Sequence, residues 1–281
     1  MRTVTLTPAE QNRDTTVSLF SYFALTFVLA WTLWLVAAAL IPAPAMSPGA
    51  RALFFLPGTF APGLVALLFA ARRGGSAPVR HLLSGIFRWQ VGAQWYVFAI
   101  AYLTVAKLLA AVLHRAVEGW WPAFGQTPLI ILLGGVLLST PFQAGEEVGW
   151  RAYALPRLAR RVGLAWASVL LGIIWACWHI PLFYIAGTDS FGQPFTVYLV
   201  SVTAASVVLA WLYVRTGGSL LLVMLMHSAF NNTGNIVPAR TANAADPLAL
   251  GAAPIAWYTA ATLTIAALFF LTRMRPAKLA S

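Results

Sequence analysis

Acidic residues are scarce in this chain: 7 Asp and Glu stand against 18 Lys and Arg, and charge of both signs makes up only 9% of 281 positions. A soluble domain carries about 25%. Lysine is almost missing, with Lys107 and Lys278 beside sixteen arginines. One cysteine, Cys177, excludes an intrachain disulfide and leaves the redox compartment open. The zinc-protease sequence HExxH is absent. Asp189 and Asp246 fall between apolar runs, so no pair of buried aspartates is available to an aspartyl protease. No internal repeat of the kind that builds many carriers occurs, and no basic face carries interleaved aromatics, which argues against a nucleic-acid partner.

Apolar residues fill the space, at 60% hydrophobic with a mean hydropathy of +0.78. They come in runs long enough to cross a lipid core of roughly 30 Å. Eight runs stand out, at roughly 17–41, 53–71, 91–113, 128–150, 163–185, 195–214, 218–237 and 252–272. The expectation is an all-α integral membrane protein, polytopic, with eight transmembrane helices. One membrane domain over 17–272 would lie between tails at 1–16 and 273–281. The first run, about 25 residues long, exceeds the apolar core of a signal peptide and reads as a retained helix.

Placing the N-terminus inside puts 13 Lys and Arg in the inner segments and only Arg51, Arg115 and Arg240 in the outer loops. That bias predicts both termini on the cytoplasmic side of a plasma (inner) membrane. The excess of positive charge then serves topology and attraction to anionic lipid, which makes the bilayer itself a partner. The Arg-over-Lys usage and abundant alanine suggest a GC-rich bacterial source.

Polar residues inside such runs cost about 2.5–3.5 kcal/mol each on insertion scales, so they are functional candidates. Three clusters qualify: Glu146, Glu147 and Arg151 in the fourth run; WACWH (175–179) with His179 in the fifth; HSAFN (227–231) with His227 and Asn231 in the seventh. Counting residues from the inner ends gives the three clusters compatible depths. Glu147 and Arg151 stand four apart and can pair, which frees Glu146, rotated by about 100°, to face elsewhere. A carboxylate and a histidine can take a proton from water, and a His/Asn pair can donate to an oxyanion. Taken singly, each cluster has a plain explanation: a structural ion pair, a satisfied core histidine, asparagines bridging helices. Their conjunction is what points to chemistry. Pro141 and Gly145 should bend the fourth helix just before the glutamates and free backbone carbonyls there. Lys107 is expected to snorkel outward, and His81 and His114 to be solvated near span ends. Cys177 and His179, two apart on a helix, face apart, so Cys177 reads as packing.

EEVGWR (146–151) fits an EExxxR motif, WACWH (175–179) resembles FxxxH with Trp175 in place of Phe, and HSAFN (227–231) fits HxxxN. In this order on separate helices they resemble the CPBP intramembrane proteases, the CAAX-protease or Abi family, over roughly residues 125–235. The resemblance implies an endopeptidase that hydrolyses a peptide bond of a membrane-associated peptide or protein. It implies that Glu146 and His179 activate water, that His227 and Asn231 form the oxyanion site, and that Glu147 and Arg151 orient the rest. It leaves a divalent metal such as zinc open: Glu146, His179 and His227 would suit a three-ligand site with a free fourth position. Two competing readings use the same buried groups, a proton-coupled transporter and a non-catalytic binding protein.

Overall fold

The structure is a computed structural model that describes residues 8–41, 48–239, 248 and 251–274, with the backbone alone at 8–18 and 48–52. Asp246 and the outermost parts of the expected tails, 1–7 and 275–281, lie outside the described residues. Every regular element among the described residues is helical. In chain order they are α1 (Pro8–Leu40), α2 (Pro48–Thr59), α3 (Ala61–Gly74), α4 (Ser76–Ser84), α5 (Ala93–Glu118), α6 (Leu129–Ser139), α7 (Ala144–Glu147), α8 (Leu155–Trp178), α9 (Phe195–Arg215), α10 (Leu220–Thr233) and α11 (Pro254–Arg273). A short 3₁₀ turn, Thr140–Gln143, precedes α7, and a π-helical stretch, Val148–Ala154, joins it to α8.

Large apolar side chains cover the outside: Phe20, Ile130 and Leu138 are each at least 74% exposed. The buried set, by contrast, includes Glu146, Glu147, Arg151 and His227. An apolar exterior around a polar interior is the arrangement that lipid demands and water penalises. The chain is a multi-pass membrane protein.

Among the described residues six helical stretches are long and apolar enough to cross: Leu19–Leu40, Leu53–Gly74, Ala93–Glu118, Leu129–Trp178, Phe195–Arg215 and Pro254–Arg273. The difference from the expected eight lies in two places. The seventh apolar run forms only the 14 residues of α10, about 21 Å at the helical rise and short of a full core. The fourth and fifth runs join into one stretch of 50 residues. As a single rod this would reach about 75 Å, more than twice the core. It breaks instead at Gly163, where φ is 76° and ψ 159°, a conformation open to glycine because it lacks Cβ. The chain doubles back there. Glu146 and Trp175 would be about 44 Å apart on an unbroken helix, yet they hydrogen-bond at 2.6 Å.

Indole N–H groups and a tyrosine hydroxyl stitch α1 to α2, α3 and α8. Trp34 Nε1 donates to Phe55 O at 3.0 Å, Tyr22 Oη to Pro62 O at 3.2 Å and Trp31 Nε1 to Trp178 O at 2.9 Å. Such interhelical bonds matter where helices gain nothing from apolar burial alone, lipid being as apolar as leucine. On the other side α8 packs against α9, with Ser206 Oγ donating to Ser168 O at 2.9 Å.

Two expectations fail for one physical reason. Lys107 does not snorkel: it is 7% exposed, and Nζ donates to Val237 O at 2.8 Å. His114 is not solvated: it is buried on α5, with Nδ1 3.1 Å from Trp120 O and its ring edge-on to Tyr258. Carbonyls released at loops and helix ends reach both side chains, which removes the need to reach water. His81 is exposed, as expected, though it sits on α4 rather than in a loop.

Candidate active site

The helix that carries the glutamates is irregular on both sides of them. Pro141 lies in the turn Thr140–Gln143, where the α-helix ends and restarts. Pro156 has no N–H to give back to Ala152, and just before it the ladder shifts by one residue: Leu155 N–H bonds Trp150 O. Where a bend is expected near Pro141 the α-helix is interrupted by a 3₁₀ turn, and the π turn adds a second irregularity that periodicity does not reveal. Such turns recur at functional sites because they re-aim side chains.

Glu147 and Arg151 form the expected pair, Nη1 to Oε1 at 2.8 Å, with side-chain exposures of 0% and 1%. The same Oε1 lies 2.7 Å from His227 Nδ1 on α10. An ionised carboxylate only accepts, so the Nδ1 proton of His227 points at Glu147 and Nε2 is the ring nitrogen left for other work. Glu146 turns the other way, as its rotation predicts. Its Oε2 accepts from Trp175 Nε1 at 2.6 Å and, more weakly, from Trp150 Nε1 at 3.4 Å. His179, just past the end of α8, gives Nδ1–H to Trp175 O at 2.8 Å, which again leaves Nε2 unspent. Around it stand the rings of Trp178, Trp175, Tyr198 and Trp34.

Three motifs far apart in the chain therefore meet. EExxxR touches α8 through Glu146 and α10 through Glu147. Asn231 is the outlying member: it is exposed, and its Nδ2 reaches Gln143 Oε1 at 3.4 Å while His227 is buried. Asn232 faces α6, donating to Ser139 Oγ at 2.8 Å, and acts as a bridge between helices.

The metal set expected from the resemblance does not assemble. Among the described residues no three His, Cys, Asp or Glu side chains gather as a ligand group. Of the three candidates, the donors not already engaged are Glu146 Oε1 and the Nε2 atoms of His179 and His227. No step below is routed through a metal.

Sequence reasoning missed Trp175 as a polar partner, noting it only as a Trp in place of Phe. It also missed Gln143, and Trp150, which lies inside EExxxR itself. An indole inside a motif, four residues from a buried acid or base, was the available signal.

Residues 124–233 match the family model described as type II CAAX prenyl endopeptidase Rce1-like, close to the 125–235 drawn from the motifs. CAAX prenyl protease 2 of Methanococcus maripaludis is 26% identical over 226 residues, covering 75% of this chain and 81% of that protein. Over residues 124–233, then, the chain is similar to the Rce1-like CAAX prenyl endopeptidases.

Proposed function

We propose that this protein is an intramembrane endopeptidase that cleaves a peptide bond of a membrane-associated peptide or protein, near the C-terminus as CAAX processing implies. The observation that carries the reading is the meeting of three helices at two carboxylates: Trp175 Nε1 on Glu146 at 2.6 Å and His227 Nδ1 on Glu147 at 2.7 Å.

In this reading Glu146 and Nε2 of His179 hold the attacking water. The water oxygen bonds to the scissile carbonyl carbon as a water proton passes to Glu146, and the carbonyl π pair moves onto oxygen. His227 and Asn231 take that oxyanion. For His227 to donate from Nε2 while Nδ1–H stays on Glu147, its ring must carry both protons, and the Glu147 carboxylate faces that charge. On collapse the C–N bond breaks, and the proton held by Glu146 passes to the leaving amine. Arg151 acts through Glu147 by holding it in place. The Asn231 amide, exposed at the end of α10, is the member that substrate can reach first.

The reading extends to topology: eight crossings, both termini cytoplasmic, in a plasma membrane. The break at Gly163 supports two crossings within Leu129–Trp178. The family match favours a protease over a carrier or a silent binder that uses the same buried groups.

The test is turnover of a quenched library of membrane-anchored peptides by purified protein in detergent, beside Glu146→Ala and His179→Ala. Cleavage that both variants lose is the expected result. Full activity of Glu146→Ala on a cleaved peptide would sink the mechanism.

A further inference from the structure

Resting on that reading, we infer that Trp175 is a positioning residue: its indole N–H fixes the Glu146 carboxylate in one orientation, with Oε2 engaged and Oε1 turned free for the attacking water.

Trp175 is buried on α8 and stands where all three motifs come within reach. Its Nε1 is 2.6 Å from Glu146 Oε2, shorter than the usual 2.7–2.9 Å of an N–H bond to an ionised group. The Arg151 guanidinium lies 4.5 Å from the Trp175 ring centroid, and the His227 ring meets it edge-on at 5.1 Å and 80°. Its backbone carbonyl accepts from His179 Nδ1 at 2.8 Å. One residue thus holds a carboxylate by its side chain and the neighbouring histidine by its main chain, while its π face receives the cation that neutralises Glu147.

The consequence falls on the two oxygens of Glu146. Oε2 receives two indole N–H groups, the second from Trp150 at 3.4 Å. Oε1 accepts no hydrogen bond from the described residues. A carboxylate that is free to rotate would present either oxygen to water in several rotamers. Pinning Oε2 leaves a single oxygen for the proton and saves reorganisation at the moment of attack, the gain that preorganised polar groups provide. A phenyl ring at 175 would fill much of the same space and keep the faces towards Arg151 and His227, but it has no donor.

Two arms test this on the full-length protein in detergent. In the first, ¹⁵N-labelled indoles are read by NMR: the Trp175 N–H proton should resonate well downfield of the other indole protons. It should be identified by its loss in Trp175→Phe and should move upfield in Glu146→Gln. An ordinary position in the wild type, or one that Glu146→Gln leaves unmoved, overturns the inference without any substrate. In the second arm, Trp175→Phe should lower kcat about tenfold with KM unchanged, because the water and not the substrate loses its partner. A wild-type kcat in Trp175→Phe overturns the positioning role even where the contact is seen. Glu146→Ala runs beside it: activity retained there defeats the protease mechanism, an outcome distinct from failure of the indole contact. Should Trp175→Phe fold poorly, Glu146→Gln and the NMR arm still decide.

Discussion

Glu147 Oε1 lies 2.7 Å from His227 Nδ1 and 2.8 Å from Arg151 Nη1, so one carboxylate oxygen serves a partner one turn away and another 80 positions along the chain. The second oxygen, Oε2, is buried without a hydrogen-bond partner among the described residues, as are Nε and Nη2 of Arg151. The pair therefore meets at one atom rather than as a two-pronged fork. Its place is set by the helix that carries His227 as much as by ion pairing.

That sharing sets the cost of breaking the pair. Glu147→Gln leaves Arg151 charged in a dry interior, and loss of one partner of a buried pair costs about 3–5 kcal/mol. The thermal midpoint in detergent should fall for Glu147→Gln and for Arg151→Met alone. The double variant should lose less than the sum, by about 0.5–3 kcal/mol, since each removal relieves the other. Additive losses would mean that the two groups are energetically independent.

Asn231 separates chemistry from folding more cleanly, because its side chain is exposed. Asn231→Ala should leave the thermal midpoint in place and lower kcat about 10²–10³-fold, the usual loss for one oxyanion donor. An unchanged kcat would assign the oxyanion to His227 without it.

Much of this site was legible in the sequence because the signals are local. An i,i+4 spacing predicted the Glu147–Arg151 pair, and a rotation of about 100° predicted that Glu146 turns elsewhere. Long apolar runs predicted the helices. What could not be read depends on register between helices. The partners of Lys107 and Trp175, Val237 O and Glu146 Oε2, lie 130 and 29 positions away, and no spacing rule reaches that far. The count of crossings does not follow from hydropathy alone for a related reason: hydropathy marks an apolar run at 218–237, whereas α10 stops at Thr233 and its last residues turn polar.

Glycines fix the approach of α3 to the glutamate helix. A Cβ at Gly149 would lie 2.5 Å from the carbonyl carbon of Pro62, and one at Gly63 would lie 2.7 Å from Gly145 O. Backbone is on both sides of the seam, so nothing flexible can yield. Gly149→Ala should therefore lower stability by about 1–3 kcal/mol, as overpacking does. It should also reduce turnover by displacing Glu146 and Glu147, read as a lower thermal midpoint together with a lower kcat. A neutral outcome would show that the seam opens easily.

Chelation tests the donor set. Glu146 Oε1 and the Nε2 atoms of His179 and His227 are the donors left over, and among the described residues no three His, Cys, Asp or Glu side chains gather as a ligand group. Turnover is expected to survive exhaustive treatment with a chelator. Activity that is lost on chelation and restored by zinc would show that these side chains rearrange around a metal, and would replace the glutamate-only route.

Topology can be decided by one position. If Leu129–Trp178 crosses twice, turning at Gly163, and α10 crosses once, then Asp189 lies outside and Arg215 inside. If that stretch crosses once and α10 does not cross, the two exchange sides, while Glu118 stays outside in both cases. In a Cys177→Ser background, which removes the only native thiol, single cysteines at 118, 189 and 215 can be treated with a membrane-impermeant maleimide on intact cells. Labelling at 118 and 189, with 215 reactive only after permeabilisation, is the expected pattern. The doubling back already seen favours it: Glu146 and Trp175 can hydrogen-bond only if the chain between them reverses. A return at Gly163, flanked by Arg160 and Arg161 on the inner side, is where charge would place such a turn.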